Sequence, residues 1–386
     1  VFSAGTGSDH VAARFVNSTD LFQFYNFSSP SYNWKVDTVA VFRDASAWYH
    51  LVLQVDSTQA TSTDRLKIYI NGERQTLTGS YPSLNFDSDV NTAQPHKIGA
   101  GINNNYLFDG YMAEVNFIDG TALDPTSFGE TINGVWVPKA YSGSYGTNGF
   151  YLPFDDSSAI GDDESGNTND WTANNLAASD VVPDSPTNNF ATLNPLAKGS
   201  GTITFSEGNL KSSFSASVAA AEHAATFTIP TSGKWYWEAY YTGAATNGSQ
   251  ATLMGIMDTG TQTVGLSGNH LTTTTGDYVT YYSHNNAIYI NNVLTNYTSH
   301  ITTQTSAIVG FALDMDNGHL WVSVNGTYIN GTPNFSTGGN KVASPDTSKI
   351  FLPFFSGNGG ATFTWTGNFG QEGTFAGATT AGGNAD

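Results

Sequence analysis

The chain has 386 residues, 39% hydrophobic and 13% aromatic, enough apolar mass to fill two cores without staples, while only 12% are charged. A net charge of -19, with 13 Lys and Arg spread thinly, leaves no basic cluster to neutralise phosphates and sets the surface against anionic lipid, which argues against nucleic-acid binding and membrane insertion. The absence of Cys excludes a disulfide framework and a thiolate zinc site, and no apolar run approaches the roughly 20 residues of a spanning helix.

Solubility must come from Thr, Ser, Asn and Gly, the composition of turn-rich all-β proteins. Val1-Phe2-Ser3 looks like a strand already in progress, so an N-terminal part is expected to be missing. Short strands are predicted over 11–15, 21–26, 38–42, 48–55, 66–70, 96–99, 111–118 and 149–154, separated by turn clusters. Asn71-Gly72 marks a tight hairpin corner, and Asp124-Pro125 opens the one short helical or irregular turn, at 121–128. The stretch 156–198 is different. It is rich in Asp, Asn, Ser and Pro, and is read as an extended linker pinned to a surface through Trp171, Leu176 and Phe190.

Strands resume over 201–205, 224–229, 234–241, 253–257, 278–282 and 287–290. The clearest instruction in the chain follows at 308–328. An incoming strand apolar on both faces is expected to lie between two layers. Asn317-Gly318 then predicts a type I′ turn, Leu320, Val322 and Val324 share one face of the return strand, and Asn325-Gly326 turns the chain again. Strands at 351–355 and 361–365 complete the pattern, and 376–386 is a Gly, Ala and Thr tail expected to be poorly ordered. The fold class read from this is all-β, two tandem antiparallel β-sandwich (jelly-roll) domains at 1–155 and 199–375.

Three resemblances add to that reading. The run Trp48-Tyr49-His50-Leu51 to Asp56, then Asp64 to Asn71-Gly72, Ile98-Gly99, Phe108-Asp109-Gly110-Tyr111 to Phe117, and Leu123 resemble, in order and spacing, laminin-G-like (concanavalin A-like) jelly rolls. Gly233-Lys234-Trp235-Tyr236-Trp237-Glu238, the segments 309–314 and 320–326, and Asn368-Phe369-Gly370-Gln371 with Phe375 are similar to the motif series of SPRY/B30.2 domains. The combination, with Ser165-Gly166-Asn167-Thr168-Asn169-Asp170-Trp171 and 184–190 between the two, resembles tail-fibre-like or capsid-fibre-like structural proteins of marine bacteriophages. That resemblance implies a virion-surface protein made in the host cytoplasm, attached to host cell-surface polysaccharide by weak multivalent glycan binding. It also implies partners among other virion proteins and copies of itself, commonly as a trimer.

Glycan recognition needs aromatic faces with amide and hydroxyl groups beside them. The candidates are Tyr25, Tyr32 and Trp34 in the first domain and Tyr281, Tyr282 and His284 in the second. Asp56 and Asp64 flank a polar loop where jelly rolls of this resemblance can hold Ca²⁺, and the acids Asp155, Asp156, Asp162, Asp163 and Glu164 crowd the linker. Asp314, Asp316 and Gly318 match the start of a calcium loop but fit a hairpin turn better. No other cofactor is expected.

No catalytic residue is assigned and the chain is read as no enzyme. Glycoside cleavage needs two carboxylates about 5 to 9 Å apart. There are only eight Glu, with no Glu-x-Asp or Glu-x-Glu pair, and Glu114 and Glu238, each read as lying in a strand, are taken as structural. His50 and His223 are taken as scaffold residues. The competing readings are a purely structural fibre or decoration subunit without a ligand, and behind it a polysaccharide-degrading enzyme.

Overall fold

The structure, a computed structural model, describes residues 1–44, 47–199, 202–214, 221–243, 251–260, 277–283, 287–291, 293–297, 305–358, 362–371, 373–375 and 379. The described residues form strands and three short 3-10 turns, and none of their helices is long and apolar enough to cross a membrane. The chain divides into two compact units, Val1–Asn189 and Phe190–Asp386.

In the first unit a six-stranded antiparallel sheet runs in the order Leu77–Ser80, Ser31–Val41, Leu21–Ser28, Asp9–Val16, Phe2–Gly5, His96–Ile98. Strand alternation sends Val11, Ala13, Phe22, Phe24, Trp34 and Val36 to one face. There they meet Leu66, Ile68 and Ile70 of the three-stranded sheet Leu51–Val55, Leu66–Ile70, Glu73–Arg74, closing a sandwich core. Asn71 and Gly72 take φ of 50° and 79°, the left-handed pair that the hairpin corner requires. A Cβ at Gly72 would lie 2.5 Å from the Trp136 ring, whose Nε1 donates to His50 Nδ1 at 3.0 Å. Trp136 belongs to the hairpin Gly129–Ile132 with Val135–Pro138, absent from the sequence reading because its residues alternate poorly.

The described residues of the second unit form two seven-stranded antiparallel sheets. One is ordered Leu193–Lys198, Ala221–Ala225, Phe351–Asn358, Ala251–Asp258, Tyr278–Tyr282, Ala287–Ile290, Val293–Asn296. The other is ordered Ile203–Ser206, Lys211–Phe214, Phe363–Asn368, Lys234–Thr242, Ser306–Asp314, His319–Val324, Thr327–Tyr328. Met254, Ile256, Tyr281, Ile288 and Phe355 of the first pack into one core with Trp237, Tyr241, Phe311, Val322 and Trp365 of the second. Ser306–Asp314 is buried along nearly its whole length, as its two apolar faces predict. Asn325 and Gly326, at φ 47° and 76°, make the expected corner.

The corner at Asn317-Gly318 is not the predicted two-residue turn. Asp314 pairs with His319 across a four-residue loop, and of the two residues only Gly318 has positive φ, 65°. The Asp314 carboxylate accepts the Asp316 and Asn317 amides at 3.0 and 3.1 Å and Asn317 Nδ2 at 2.9 Å, so this side chain dictates the wider turn. Glu114 is also displaced from its expected strand: it precedes Val115–Phe117 with φ of 58°, and its carboxylate accepts the Tyr151 hydroxyl at 2.6 Å.

Candidate functional site

Two registers in the first unit bring distant segments to one place. Ala4 pairs with His96 at the end of the six-stranded sheet, and Phe117 pairs with Phe150 in the ladder Val115–Phe117 with Phe150–Leu152. The Phe117 and Phe150 rings stack at 5.4 Å, and Trp171 meets Phe150 edge-on at 5.0 Å. Between them opens a cleft of about 490 Å³ lined by Phe2, Asn91, Thr92, Ala93, His96, Phe117, Asn148, Phe150, Asn169 and Trp171.

Hydrogen bonds fix both walls. On one side Asn91, at φ 62°, donates its backbone N–H to His96 Nε2 at 3.1 Å, while His96 Nδ1 sits 2.7 Å from the Gln94 carbonyl. With Nε2 accepting the Asn91 amide, Nδ1 is the nitrogen placed to donate to the Gln94 carbonyl. Thr92 Oγ1 donates to the Asp89 carbonyl at 2.8 Å and closes the same loop. On the other side Asn169 Nδ2 donates to the carbonyls of Thr147 at 3.2 Å and Gly149 at 2.8 Å, and Asn167 Nδ2 to those of Gly146 and Gly149 at 2.7 and 2.8 Å. Gly149 permits this close approach, since a Cβ there would fall 1.9 Å from the Tyr145 carbonyl oxygen. Asp119 ties the walls together. One carboxylate oxygen accepts Asn91 Nδ2 at 2.9 Å and the other accepts the Asn148 amide at 3.1 Å.

The acidic stretch before Trp171 folds around its own backbone, and the residues 156–189 read as linker fall within the first unit. Asp163 accepts the amides of Tyr151, Ser165 and Asn169, each at 2.8 Å, and the Ser165 hydroxyl at 2.9 Å. Burial pulls its pKa upward, but these donors overcome that and hold it below the usual carboxylate range. Asp156 is likewise held down, by the Ser158 hydroxyl and amide.

The residues singled out from the sequence lie elsewhere. Trp34 is 2% exposed and packs edge-on against Phe24 at 5.0 Å, so its face belongs to the core and is closed to a sugar. Tyr281 and Tyr282 are buried as well, because the strand Tyr278–Tyr282 is covered on both faces. Tyr25 is buried under the Arg14 guanidinium, 5.3 Å from its ring, and burial raises its pKa. Tyr32 is 46% exposed and packs edge-on against Tyr25 and Phe27. His284 lies outside the described residues.

Asp56 is engaged by the Thr58 hydroxyl and Gln59 Nε2, both at 2.6 Å, which hold its pKa down, and Asp64 by Arg74 at 3.4 Å and Lys67 at 3.7 Å. A cation entering that loop would compete with these partners. Among the described residues no three His, Asp or Glu converge on a common point. Sequence reasoning missed the cleft because its walls come from three loops and the ends of four strands brought together by strand register. The available signal was Trp171 within a stretch whose Asn167 and Asn169 recur at a period of two.

A family model described as the concanavalin A-like lectin/glucanases superfamily matches residues 1–127, a span that contains Phe2, the 91–96 wall, Phe117 and Asp119 but ends before Asn148 and Trp171. No curated protein sequence matches the chain. Among solved structures, the SPRY domain of human HERC1 is 14% identical, with 46% of this chain and 97% of that chain covered and a TM-score of 0.32. The TRIM65 PSpry domain is 11% identical over 45% of this chain and 89% of that chain, with a TM-score of 0.28. A human SPRY domain is 9% identical over 42% and 94%, with a TM-score of 0.29. The match thus covers part of the first unit and part of its cleft, and the second unit is a separate antiparallel sandwich.

Proposed function

We propose that the chain is a non-enzymatic, lectin-like module that binds saccharide in the Trp171 cleft. The observation that carries this reading is the convergence of half-buried rings, Trp171, Phe2 and Phe117, with the exposed Asn91, Thr92 and Asn148 in a cleft whose walls are already fixed. A pyranose offers an apolar C–H face to such rings and hydroxyls to such amides, and a preformed cleft loses little entropy on binding. The concanavalin A-like match over residues 1–127 supports it. Among the described residues none that lines the cleft is Asp or Glu, which supports binding without cleavage, since hydrolysis needs a carboxylate pair across the bond.

Placement on a bacteriophage virion, as a tail or capsid fibre whose copies multiply weak sites on host polysaccharide, rests on the resemblance of the whole domain series. Avidity makes millimolar sites sufficient when many act together. A glycan array probed with the chain displayed multivalently tests the binding. The reading requires saccharide capture that Trp171→Ala abolishes, and capture unaffected by that substitution sinks it. The purely structural reading draws on one feature, the edge strand Val293–Asn296, whose four residues are all exposed and include Val293 at 66%. Light scattering of the Val293→Lys variant separates the two, because a self-pairing edge would lose its assembly.

A further inference from the structure

We infer that the Trp171 cleft selects uncharged saccharides and rejects sulfated or uronate-bearing ones; this rests on the saccharide-binding reading of the same site. Among the described residues none that lines the cleft is Lys or Arg. The basic residue nearest in sequence, Lys97, is turned away. It pairs with Ser3 in the strand His96–Ile98, so it points to the opposite face from its neighbour His96, and its Nζ donates to Asn104 Oδ1.

His96 turns both ring nitrogens to protein partners, Nε2 to the Asn91 amide at 3.1 Å and Nδ1 to the Gln94 carbonyl at 2.7 Å. Behind the lining, the carboxylate of Asp119 bonds Asn91 on one wall and the Asn148 amide on the other, so a negative charge is fastened to both walls. An anionic sugar would therefore shed water in a cleft with no Lys or Arg among its described lining residues and with the Asp119 carboxylate behind its walls, in a chain of net charge -19. Neutral hexoses and N-acetylated hexosamines face no such opposition, and their hydroxyl and acetamido groups match the Asn and Thr side chains on the rim.

The test is biolayer interferometry of the intact chain against two immobilised sets: mannan, dextran and N-acetylglucosamine oligomers on one side, alginate oligomers and heparin fragments on the other. The inference expects at least tenfold tighter binding to a member of the neutral set, lost in Trp171→Ala. A second variant, Ala93→Lys, adds a cation at an exposed lining position and is expected to raise affinity for the acidic set by about tenfold. Acidic glycans binding as well as neutral ones through Trp171 would overturn the selectivity and leave the saccharide site standing, as would Ala93→Lys failing to improve acidic binding. Binding of neither set would overturn both.

Discussion

Replacing His223 by Gln removes a titration that the fold of the second unit suppresses. His223 is fully buried between Phe355, stacked at 5.3 Å, and Phe205, edge-on at 5.5 Å, with Nε2 2.9 Å from Ser212 Oγ. Burial pushes its pKa from 6.5 down to about 3. The unfolded chain takes up a proton near pH 6.5 and the folded chain does not until about pH 3, so the unfolded state binds more protons between those values. The stability this group contributes is therefore complete above pH 6.5 and is lost as the pH falls towards 3.

At about 1.36 kcal/mol per unit, the loss between pH 7 and pH 5 is roughly 2 kcal/mol, and it grows to about 4 kcal/mol at pH 3. Depressed carboxylates such as Asp314 titrate below this upper window, and His10 and His50, also lowered by burial, belong to the first unit. Hydrogen exchange of peptides spanning Ala221–Ala225 and Phe351–Asn358, followed at pH 5, 6 and 7, reads the opening free energy there after correction for intrinsic exchange. Wild type should lose roughly 2 kcal/mol of protection across the window while His223→Gln loses almost none. Equal slopes in the two proteins would refute the account of a neutral, desolvated histidine.

Other predictions bear on the site and its supports. Asp119→Ala should cut affinity for neutral glycan by roughly tenfold, since both walls lose a hydrogen bond, and titration calorimetry reads it. Trp171→Ala should abolish detectable binding while leaving the far-ultraviolet circular dichroism unchanged. Gly149→Ala should destabilise the first unit by about 1–3 kcal/mol in denaturant, because its Cβ meets a backbone carbonyl. Tyr236→Phe should destabilise the second unit by about 1–3 kcal/mol in the same assay, because Glu238, 3% exposed, loses the 2.6 Å hydroxyl donor to one carboxylate oxygen while the other already lacks a partner among the described residues. Unchanged stability in Tyr236→Phe would mean that the carboxylate is satisfied in another way.

The fold was legible where local chemistry and period agree. Asn71-Gly72 and Asn325-Gly326 name their corners because both residues accept positive φ. Leu320, Val322 and Val324 name the core face because a strand alternates. Asn317-Gly318 misled because the Asp314 carboxylate, three residues upstream, outweighs the dipeptide. The aromatic candidates Trp34, Tyr281 and Tyr282 misled for a related reason: in a sheet covered on both faces, alternation no longer separates a solvent-facing ring from a buried one. The cleft was illegible because it depends on pairing partners more than thirty residues apart, Phe117 with Phe150 and Ala4 with His96. Its Asn-rich wall is held by side-chain to backbone bonds, which leave no hydrophobic period to read.

The account turns on whether a sugar sits where the rings and amides converge. A crystal structure of the chain with a neutral oligosaccharide should place a pyranose face against Trp171, with its hydroxyls on Asn91, Thr92 or Asn148 and Asp119 still bridging the two walls. Sugar density at another surface, with the Trp171 cleft holding only solvent at saturating ligand, would contradict it.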